Sequence, residues 1–523
     1  MLRIQLKLSV GSREELVSAV ASRLGVEAKA FTLFPRKRSI DAREAPVYVW
    51  VADLAFADEK TEKRLLKKHG KLFSPAPVET PYAFPAVTRV SAQRPIVVGF
   101  GPAGIFCALM LARSGLRPIV LERGGAMEER VSKVEQFFER GVLDENCNLQ
   151  FGEGGAGAFS DGKLNTLVKD KSFRGYYILE QFVKAGAPEE ILWLNKPHIG
   201  TDLLRGVITN LRKEIISLGG EVHFCTQVVD LLHENNAILG VKVQNGKAFY
   251  SDTVVLAIGH SACDTFRMLH GKQIPMEKKP FSVGVRIEHP QTLIDRAQYG
   301  DAVNFPPADY KLVCHTSTGR VVYTFCMCPG GIVVAAASDQ NGVVTNGMSY
   351  HARDGVNANS ALLCEIYPDD VPGGLFSGME FQIMLEQLAF RAGGGSHRAP
   401  AQRVGDFLSG VPTHAFGSVV PTYTRGVVPT DLREVLPDYV CDALAEALPY
   451  FGKKLRGFDA PDAVMTAVES RSTSPVRILR SEHFQSSLRG LYPIGEGAGY
   501  AGGIISAAID GLKCAEAIAT HGG

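Results

Sequence analysis

The first 75 residues alternate between apolar and polar positions in a way that predicts a small α/β unit. The segment IQLKLSV alternates with period two, as a half-buried strand does. Ser12 followed by Glu15 forms a capping box, which predicts a helix that continues to about Leu24. PVYVWVADLAF then predicts a second strand, and ADEKTEKRLLKKHG predicts an exposed charged helix that ends at Gly70.

A proline-rich stretch, SPAPVETPYAFPAV, separates this unit from the rest of the chain. Proline fixes the backbone and removes an amide donor, so such a stretch is typical of a linker. We place a boundary near residues 75–92 and expect residues 1–90 to form a small N-terminal α/β domain with its linker.

From Arg94 the pattern changes to strand, helix and strand. PIVVGF is a short apolar strand, GPAGIFCALMLARSG a glycine turn that enters a helix, and RPIVLE a second apolar strand. This order predicts a βαβ unit. Short strands are expected over 219–260, and strands also dominate 280–340. Further helices are predicted over about 127–140, 377–392, 431–455 and 500–519.

The glycine turn of this βαβ unit, GFGPAG, has the spacing of a dinucleotide-binding turn. The first glycine allows the tight turn, the second lets a pyrophosphate approach the backbone, and the third lets helix and strand pack closely. The start of the helix offers free N–H groups to phosphate. The predicted contacts of this first glycine turn are Gly99, Gly101, Pro102, Ala103 and Gly104. Glu122 ends the next strand, where its carboxylate can accept hydrogen bonds from ribose hydroxyls.

Three further segments resemble flavoproteins of the glutathione-reductase type, in the order found there. They are LERGG at 121–125, VVLAIGHSA at 254–262 and LYPIGEGAGYAGGIISAAIDG at 491–511. The resemblance implies FAD, with Glu496 on the ribityl chain, the backbone of Val228 at the adenine, and the last helix N-terminus at the flavin. It implies cofactor contacts at Arg123, Val228, Ala257, Gly259, Gly495, Glu496, Gly502, Gly503 and Ile504.

A second G-x-G-x-x-G, GEGGAG at 152–157, lacks the flanking strand and helix of a nucleotide fold. A polar segment precedes it, and Ser-Asp-Gly follows it closely. One interpretation is an exposed surface loop. The other is a loop laid against the same FAD, where glycine permits close approach. On that interpretation Gly154 and Gly155 contact the cofactor, and Ser160, Asp161 and Lys163 supply polar groups to it.

Nearly the whole chain resembles the family of uncharacterised bacterial FAD-dependent dehydrogenases, and more distantly the BaiN-like flavoprotein reductases. The resemblance rests on RKRSIDAR (36–43), GFGPAG, FGEGGAGAFSDGKLNT (151–166), FSVGVRIEHPQ (281–291), FCMCPGG (325–331), NGMS (346–349), ESRSTSPVRILR (469–480) and GEGAGYAGGI (495–504). It implies an α/β fold whose FAD/NAD(P)-binding Rossmann-like domain has two sequence segments, 91–275 and 485–523. Residues 276–484 are then an inserted α+β substrate domain.

Two cysteines stand out as candidate catalytic groups. In a strand, Cys326 and Cys328 point to the same side, so they could form a disulfide that relays electrons from the flavin. They could equally be two small buried apolar residues. The other cysteines are scattered and several lie in apolar runs, which is typical of reduced cytoplasmic thiols. No Cys or His spacing indicates a metal site.

Four other side chains are weaker candidates. His260 and Tyr500 could each supply a proton near the flavin, or each could be structural. Arg471 and Arg477 could hold a carboxylate or phosphate of the substrate, or could pair with acids of the chain itself.

The net charge of +1 is unevenly placed, because residues 1–90 hold 16 Lys and Arg against 10 Asp and Glu. A basic front end could touch RNA, but the small excess favours a solvated surface. Apolar runs are too short to span a bilayer, and basic residues interrupt the start, so we expect a cytoplasmic protein.

These features predict an FAD-dependent oxidoreductase that passes a hydride or electron pair through flavin N5, to or from an organic small molecule. NAD(P)H could bind transiently as the electron donor. Two alternatives remain at this stage: a flavoprotein that modifies RNA, and a binding protein whose FAD is structural. The oligomeric state stays open.

Overall fold

The computed structural model describes residues 1–77, 80–89, 91–302 and 304–521, without the side chain of residue 521. Part of the predicted linker, residues 78, 79 and 90, therefore lies outside the described residues, as do 303 and the last two residues. Of the described helices, none combines the length and apolar character needed to cross a membrane.

The N-terminal domain is a four-stranded antiparallel sheet with two helices. Its elements are β1 (Leu2–Leu8), α1 (Arg13–Leu24), β2 (Phe31–Asp41), β3 (Val47–Phe56), α2 (Glu59–His69) and β4 (Phe73–Pro75). The strand order β2-β3-β1-β4 interleaves two βαβ units, as in ferredoxin-like folds. The predicted capping box is confirmed, since Ser12 and Glu15 bond reciprocally at the start of α1. Trp50 and Leu54 lie at the centre of the core.

Strand β2 also attaches this domain to the next one. The Arg38 amide donates to the carbonyl of Trp193 at 2.7 Å, and the Asn195 amide returns a bond to the Arg38 carbonyl at 2.9 Å. The Trp193 side chain is buried in the N-terminal core. The RKRSIDAR segment therefore lies at a domain junction.

The second region begins with the predicted βαβ unit. Its elements are β5 (Ile96–Val98), α3 (Pro102–Arg113), β6 (Ile119–Leu121), α4 (Met127–Arg140), α5 (Arg174–Lys184), α6 (Thr201–Ser217), β7 (Glu221–His223), β8 (Val228–Glu234), β9 (Ala237–Val243), β10 (Ala248–Tyr250), β11 (Val254–Leu256) and α7 (Cys263–Gly271). Strands β8 to β10 form an antiparallel meander.

The third region is a sheet of seven strands covered by helices. Its elements are β12 (Met276–Lys278), β13 (Phe281–Pro290), α8 (Gln291–Tyr299), β14 (Val313–His315), β15 (Val321–Cys328), β16 (Ile332–Ala335), β17 (Thr345–Met348), β18 (Asn357–Ile366), α9 (Ser377–Ala392), β19 (Ala399–Arg403), α10 (Val404–Ser409), β20 (Val427–Pro429), α11 (Asp438–Lys454), β21 (Val464–Glu469) and β22 (Val476–Ile478). The main sheet has the order β14-β15-β18-β13-β21-β19-β20, and β16 pairs with β17 as a hairpin. We call the part of this region that runs from β13 to β21 the cap.

The chain then returns to the second region through β23 (Leu491–Pro493) and α12 (Ile504–His521). Strand β23 pairs in parallel with β11, completing a five-stranded parallel sheet in the order β23-β11-β5-β6-β7. Helix α12 packs against α3 in one core. The fold is α/β, with a Rossmann-like parallel sheet built from two sequence segments and with additional domains.

Candidate functional site

A cleft of about 900 Å³ lies between the parallel sheet and the cap. Four loops of its wall follow the carboxyl ends of β5, β6, β11 and β23, where parallel α/β sheets bind ligands. The cap faces them across the cleft. The predicted site residues that line the cleft are Gly99, Gly101, Pro102, Ala103, Glu122, Arg123, Gly155, Ser160, Asp161, Lys163, Val228, Ala257, Gly259, His260, Cys326, Gly495, Glu496, Gly502, Gly503 and Ile504.

Five predicted residues lie outside this lining, and one of them, Arg477, is described further below. Gly104 is buried, and a Cβ there would overlap the Gly99 carbonyl, so it serves helix–strand packing. Gly154 lies behind the cleft wall, where a Cβ would be 2.6 Å from Ile208 Cδ1. Tyr500 is 38% exposed and packs under Arg480, whose Cζ lies 3.8 Å from the ring centroid. Cys328 is buried, and its Sγ lies 3.3 Å from the Cys326 carbonyl oxygen.

The two glycine motifs pack against each other. The Gly154 amide donates to the Phe100 carbonyl at 2.8 Å, and a Cβ on Gly101 would lie 3.7 Å from Gly155 Cα. After Gly155 the second loop continues as a short 3₁₀ helix through Phe159. The second motif thus supports the first glycine turn and adds Gly155 to the cleft wall.

Glu122 ties together three loops around the cleft. Its carboxylate accepts hydrogen bonds from the amides of Phe100 at 2.8 Å and of Gly124 and Gly152 at 2.9 Å. A carboxylate has about four acceptor positions, so three are used by the protein itself. Glu122 therefore holds the shape of the site, beyond the ribose contact that its position implies.

Arg130 on α4 is a buried support that the sequence did not reveal. Its guanidinium donates to the carbonyls of Asn148 and Leu149 at 2.9 Å and of Glu153 at 2.6 Å. Burial lowers the pKa of Arg130 to about 10, although nearby carboxylates oppose the shift. The only sequence signal is an arginine on the buried face of an amphipathic helix. These bonds fix the segment that leads into the second glycine loop.

Asp161 and Lys163 bond first to the protein. Asp161 is 1% exposed and pairs with Arg353, whose Nε lies 3.0 Å from Oδ1, and with Lys163 Nζ at 3.1 Å from Oδ2. Burial alone would raise the pKa of Asp161, but the charges of Lys163 and Arg353 hold it below its usual value. Ser160 likewise donates to the Gly157 carbonyl at 2.7 Å. These polar groups shape the loop as well as facing the cleft.

Four cap residues and one lysine from the loop after the second glycine motif form a group that we call the thiol cluster: Cys326, Cys328, Arg286, Glu469 and Lys163. Cys328 Sγ lies 3.4 Å from Arg286 Nη2 and 3.8 Å from Lys163 Nζ. Arg286 also donates to the Cys326 carbonyl at 2.7 Å and pairs with Glu469 at 3.2 Å. Burial raises the pKa of Glu469 to about 7, against the opposing charge of Arg286. Cys326 and Glu469 line the cleft.

The three other predicted side chains, His260, Arg471 and Arg477, each lie close to a carboxylate of the protein. His260 Nδ1 lies 3.3 Å from Glu496 Oε1, and its buried Nε2 has no hydrogen-bonding partner in the described part of the chain. Arg471 lines the cleft but forms a two-pronged pair with Glu386, at 2.6 and 2.9 Å. Arg477 pairs with Glu277 at 3.1 Å instead.

Two helix N-termini meet the cleft and suit an anionic dinucleotide. Helix α3 begins at Pro102 without a side-chain cap from Gly101, so its first amides are free for a ligand. Helix α12 begins after Gly502 and Gly503, which have open space where side chains would stand. Such ends carry partial positive charge that favours phosphate and electron-rich rings. Among the described residues no cluster of His, Cys, Asp and Glu could hold a metal ion.

Comparison with known proteins shows which cofactor this cleft binds. Residues 280–472 match the family described as "FAD-dependent protein, C-terminal domain-like". That description and the cleft identify the cofactor as FAD, and the class as a flavoprotein. A Clostridium beijerinckii protein described as uncharacterized is 49% identical over 490 residues, which is 92% of this chain and 91% of that one. The chain belongs to the family of that clostridial protein.

Solved structures resemble the chain more distantly. The match to the structure of tetracycline destructase Tet(51) covers 82% of this chain and 80% of that chain, with 13% identity and a TM-score of 0.34. The match to L-proline dehydrogenase from P. horikoshii covers 82% of this chain and 93% of that chain, with 16% identity and a TM-score of 0.33. The match to CtdE in complex with FAD covers 81% of this chain and 83% of that chain, with 11% identity and a TM-score of 0.31.

Proposed function

We propose that the protein is an FAD-dependent oxidoreductase that acts on an organic small molecule bound under the cap. The observation that carries this proposal is the shared cleft, whose one wall is the nucleotide-binding sheet and whose other wall is the cap. Its volume of about 900 Å³ lies near the upper end of ligand pockets, about 300–1,000 Å³. Bound FAD would supply flavin N5 as the acceptor or donor of a hydride or electron pair.

The residues present fit the cofactor in one orientation. Val228 and Glu122 would bind the adenosine, and Gly101 with the start of α3 would take the pyrophosphate. Gly503 and the start of α12 would then lie at the flavin, on the side where the cap residues Cys326 and Glu469 line the cleft. The cap covers one side of the cleft, and limited access of water there would strengthen the electrostatic contacts of a bound ligand.

His260 is a proton-handling candidate within this arrangement. Its Nδ1 is oriented by Glu496, and its free Nε2 is buried at the cleft. A histidine with one nitrogen fixed in this way can hold a proton at the other. We propose that Nε2 bonds to the flavin or to the substrate.

The proposal includes transient binding of NAD(P)H. The described residues contain one parallel sheet, and its ligand-binding edge is the cleft itself. A nicotinamide donor would therefore share the cleft rather than occupy a second nucleotide fold. A small-molecule substrate is favoured over RNA, because Arg3 and Arg36 of the basic N-terminal domain both pair with Asp53.

The test begins with the full chain and its co-purified cofactor. After release by heat, mass spectrometry should identify FAD, and anaerobic photoreduction should bleach it. The reduced protein is then mixed with nicotinamides, quinones, enones and disulfides, and reoxidation is followed by absorbance. Reoxidation that is no faster than that of free reduced FAD, with every compound, would mean that the flavin is structural.

A matched pair of variants checks the location of FAD. Gly101→Leu places a side chain in the cleft without backbone strain, whereas Gly206→Leu adds the same side chain on the exposed face of α6. We expect Gly101→Leu to purify with at least tenfold less FAD and Gly206→Leu to keep it. Equal FAD contents would show that the cofactor lies elsewhere.

A further inference from the structure

Cys326 and Cys328 differ from the other thiols of the chain in their geometry. Strand β15 has a bulge between Phe325 and Cys328, and within it Cys326 adopts a φ of +45°. Left-handed backbone is costly for a residue with a side chain, and bulges of this kind re-aim side chains next to active sites. The bulge leaves Cys326 part-exposed at the cleft while Cys328 stays buried behind it.

Two cations lie against this pair. Lys163 reaches it from the loop that follows the second glycine motif, and Arg286 reaches it from β13. Arg286 is fully buried, so its charge is poorly screened by water. Cations beside a sulfur stabilise the thiolate, which is the reactive form of cysteine.

The two sulfurs are expected to hold different protonation states. The hydrogen bond from Cys328 and the charges of Lys163 and Arg286 hold the pKa of Cys326 well below its usual value, although its partial burial opposes the shift. Burial and the same hydrogen bond raise the pKa of Cys328. Burial also raises the thiol pKa at Cys147, Cys225, Cys263, Cys314, Cys364, Cys441 and Cys514. With both cations in contact with Cys328 Sγ, the pair is set up to hold one thiolate beside one protonated thiol.

We propose that Cys326 and Cys328 form a second two-electron carrier, which exchanges an electron pair with the flavin across the cleft. The inference rests on the proposed function, because it requires FAD with its flavin ring at the cap. In the oxidising direction the thiolate of one cysteine and the thiol of the other give up two electrons and form one Sγ–Sγ bond. Bound FAD would accept the electron pair and the thiol proton, so the reactants and the products each carry one negative charge and one transferable proton.

The electron capacity of the protein tests this. Air-oxidised full-length protein with its FAD is titrated anaerobically with dithionite, and flavin absorbance marks the end point. The flavin alone takes up two electrons, and a disulfide takes up two more. We expect four electrons per FAD for the wild type and two for Cys326→Ala with Cys328→Ala.

The chain offers a matched control in Cys107 and Cys514, which contact each other between α3 and α12 but lie in the apolar core away from the cleft. The variant Cys107→Ala with Cys514→Ala should keep the capacity of four electrons. Loss of the two extra electrons in this control, and not in the cap variant, would overturn the inference.

A second measurement does not depend on the variants. Peptide mapping of the air-oxidised wild type after thiol alkylation should find a disulfide between Cys326 and Cys328, and reduction should remove it. A wild type that takes up two electrons with a fully bleached flavin, and whose two cysteines are both alkylated, overturns the inference and leaves the proposed function standing. A flavin that cannot be reduced, beside a mapped disulfide, contradicts the proposed function instead.

Discussion

Gly101 and Gly155 touch backbone to backbone, since a Cβ on Gly155 would lie 3.0 Å from Gly101 Cα. Each belongs to a G-x-G-x-x-G motif, yet only the first motif starts a βαβ helix. The second motif is the surface on which the first glycine turn rests. A pattern match can therefore mark the neighbour of a nucleotide site as well as the site itself.

Replacement of Gly155 by alanine should loosen this contact. Gly155 has a φ of +59°, and Gly115 has a φ of +79° but open space around it. Gly115→Ala should therefore cost only the left-handed backbone penalty, about 1–2 kcal/mol. Gly155→Ala should cost more in denaturant unfolding and should lower FAD content. Equal effects of the two changes would show that the close contact is not important.

Replacement of Glu122 by glutamine should open the three loops that it joins. Glutamine keeps one acceptor oxygen but turns an NH₂ group towards amide donors, so at least one buried bond is lost. A buried amide donor left without its acceptor costs about 1–3 kcal/mol. Glu135→Gln, on the exposed face of α4, should change stability by about 0.5 kcal/mol or less. Unfolding curves and FAD content measure both, and equal stabilities would contradict the bonds described.

Arg130→Met should destabilise the protein by about 3 kcal/mol or more, because three buried carbonyls lose their donors at once. Arg140→Met, in the exposed last turn of the same helix, is the control and should be nearly neutral. Because Arg130 holds the chain that leads to the second glycine loop, FAD should also dissociate faster. Unchanged FAD release in a stable Arg130→Met protein would argue against this support.

Glu469 should make stability depend on pH in a definite direction. Its pKa is raised from 4.5 to about 7 in the folded protein, so the folded state binds the proton more tightly than the unfolded state. Stability contributed by this group is full at low pH and is lost as pH rises from about 4.5 to 7. Relative to Glu469→Gln, the wild type should lose about 3 kcal/mol over that range. A difference between the two that is flat from pH 5 to 8 would contradict the shift.

The sequence predicted several helices of the nucleotide-binding region and of the cap well. The helices expected over 127–140 and 377–392 are confirmed within a residue, because their apolar period and their glycine or small-residue ends are local signals. The last helix begins at Ile504 rather than near residue 500, and α11 begins at Asp438 rather than residue 431. Residue 431 is the N-cap of a separate 3₁₀ helix, Leu432–Glu434, and residue 500 lies in the glycine-rich loop before the last helix.

The thiol cluster could not be predicted as a whole. Arg286, Cys328 and Glu469 come together only because β13 lies between β18 and β21 and because β15 pairs with β18. Strand register over such distances depends on packing, and no local period encodes it. Arg130 was missed for the same reason, since its partners are backbone carbonyls that carry no sequence signature.

The cap leaves and rejoins the nucleotide-binding sheet at a single place. Strands β12 and β22 pair antiparallel, and the Lys279 amide donates to the Pro475 carbonyl at 2.9 Å, so the first and last residues of the intervening chain are neighbours. The segment of almost 200 residues between them therefore begins and ends at the same place in the structure. Its length and internal order can change without moving any strand of the parallel sheet. On the proposed function, the part of the protein that contacts the substrate could therefore diverge while the FAD-binding sheet stays unchanged.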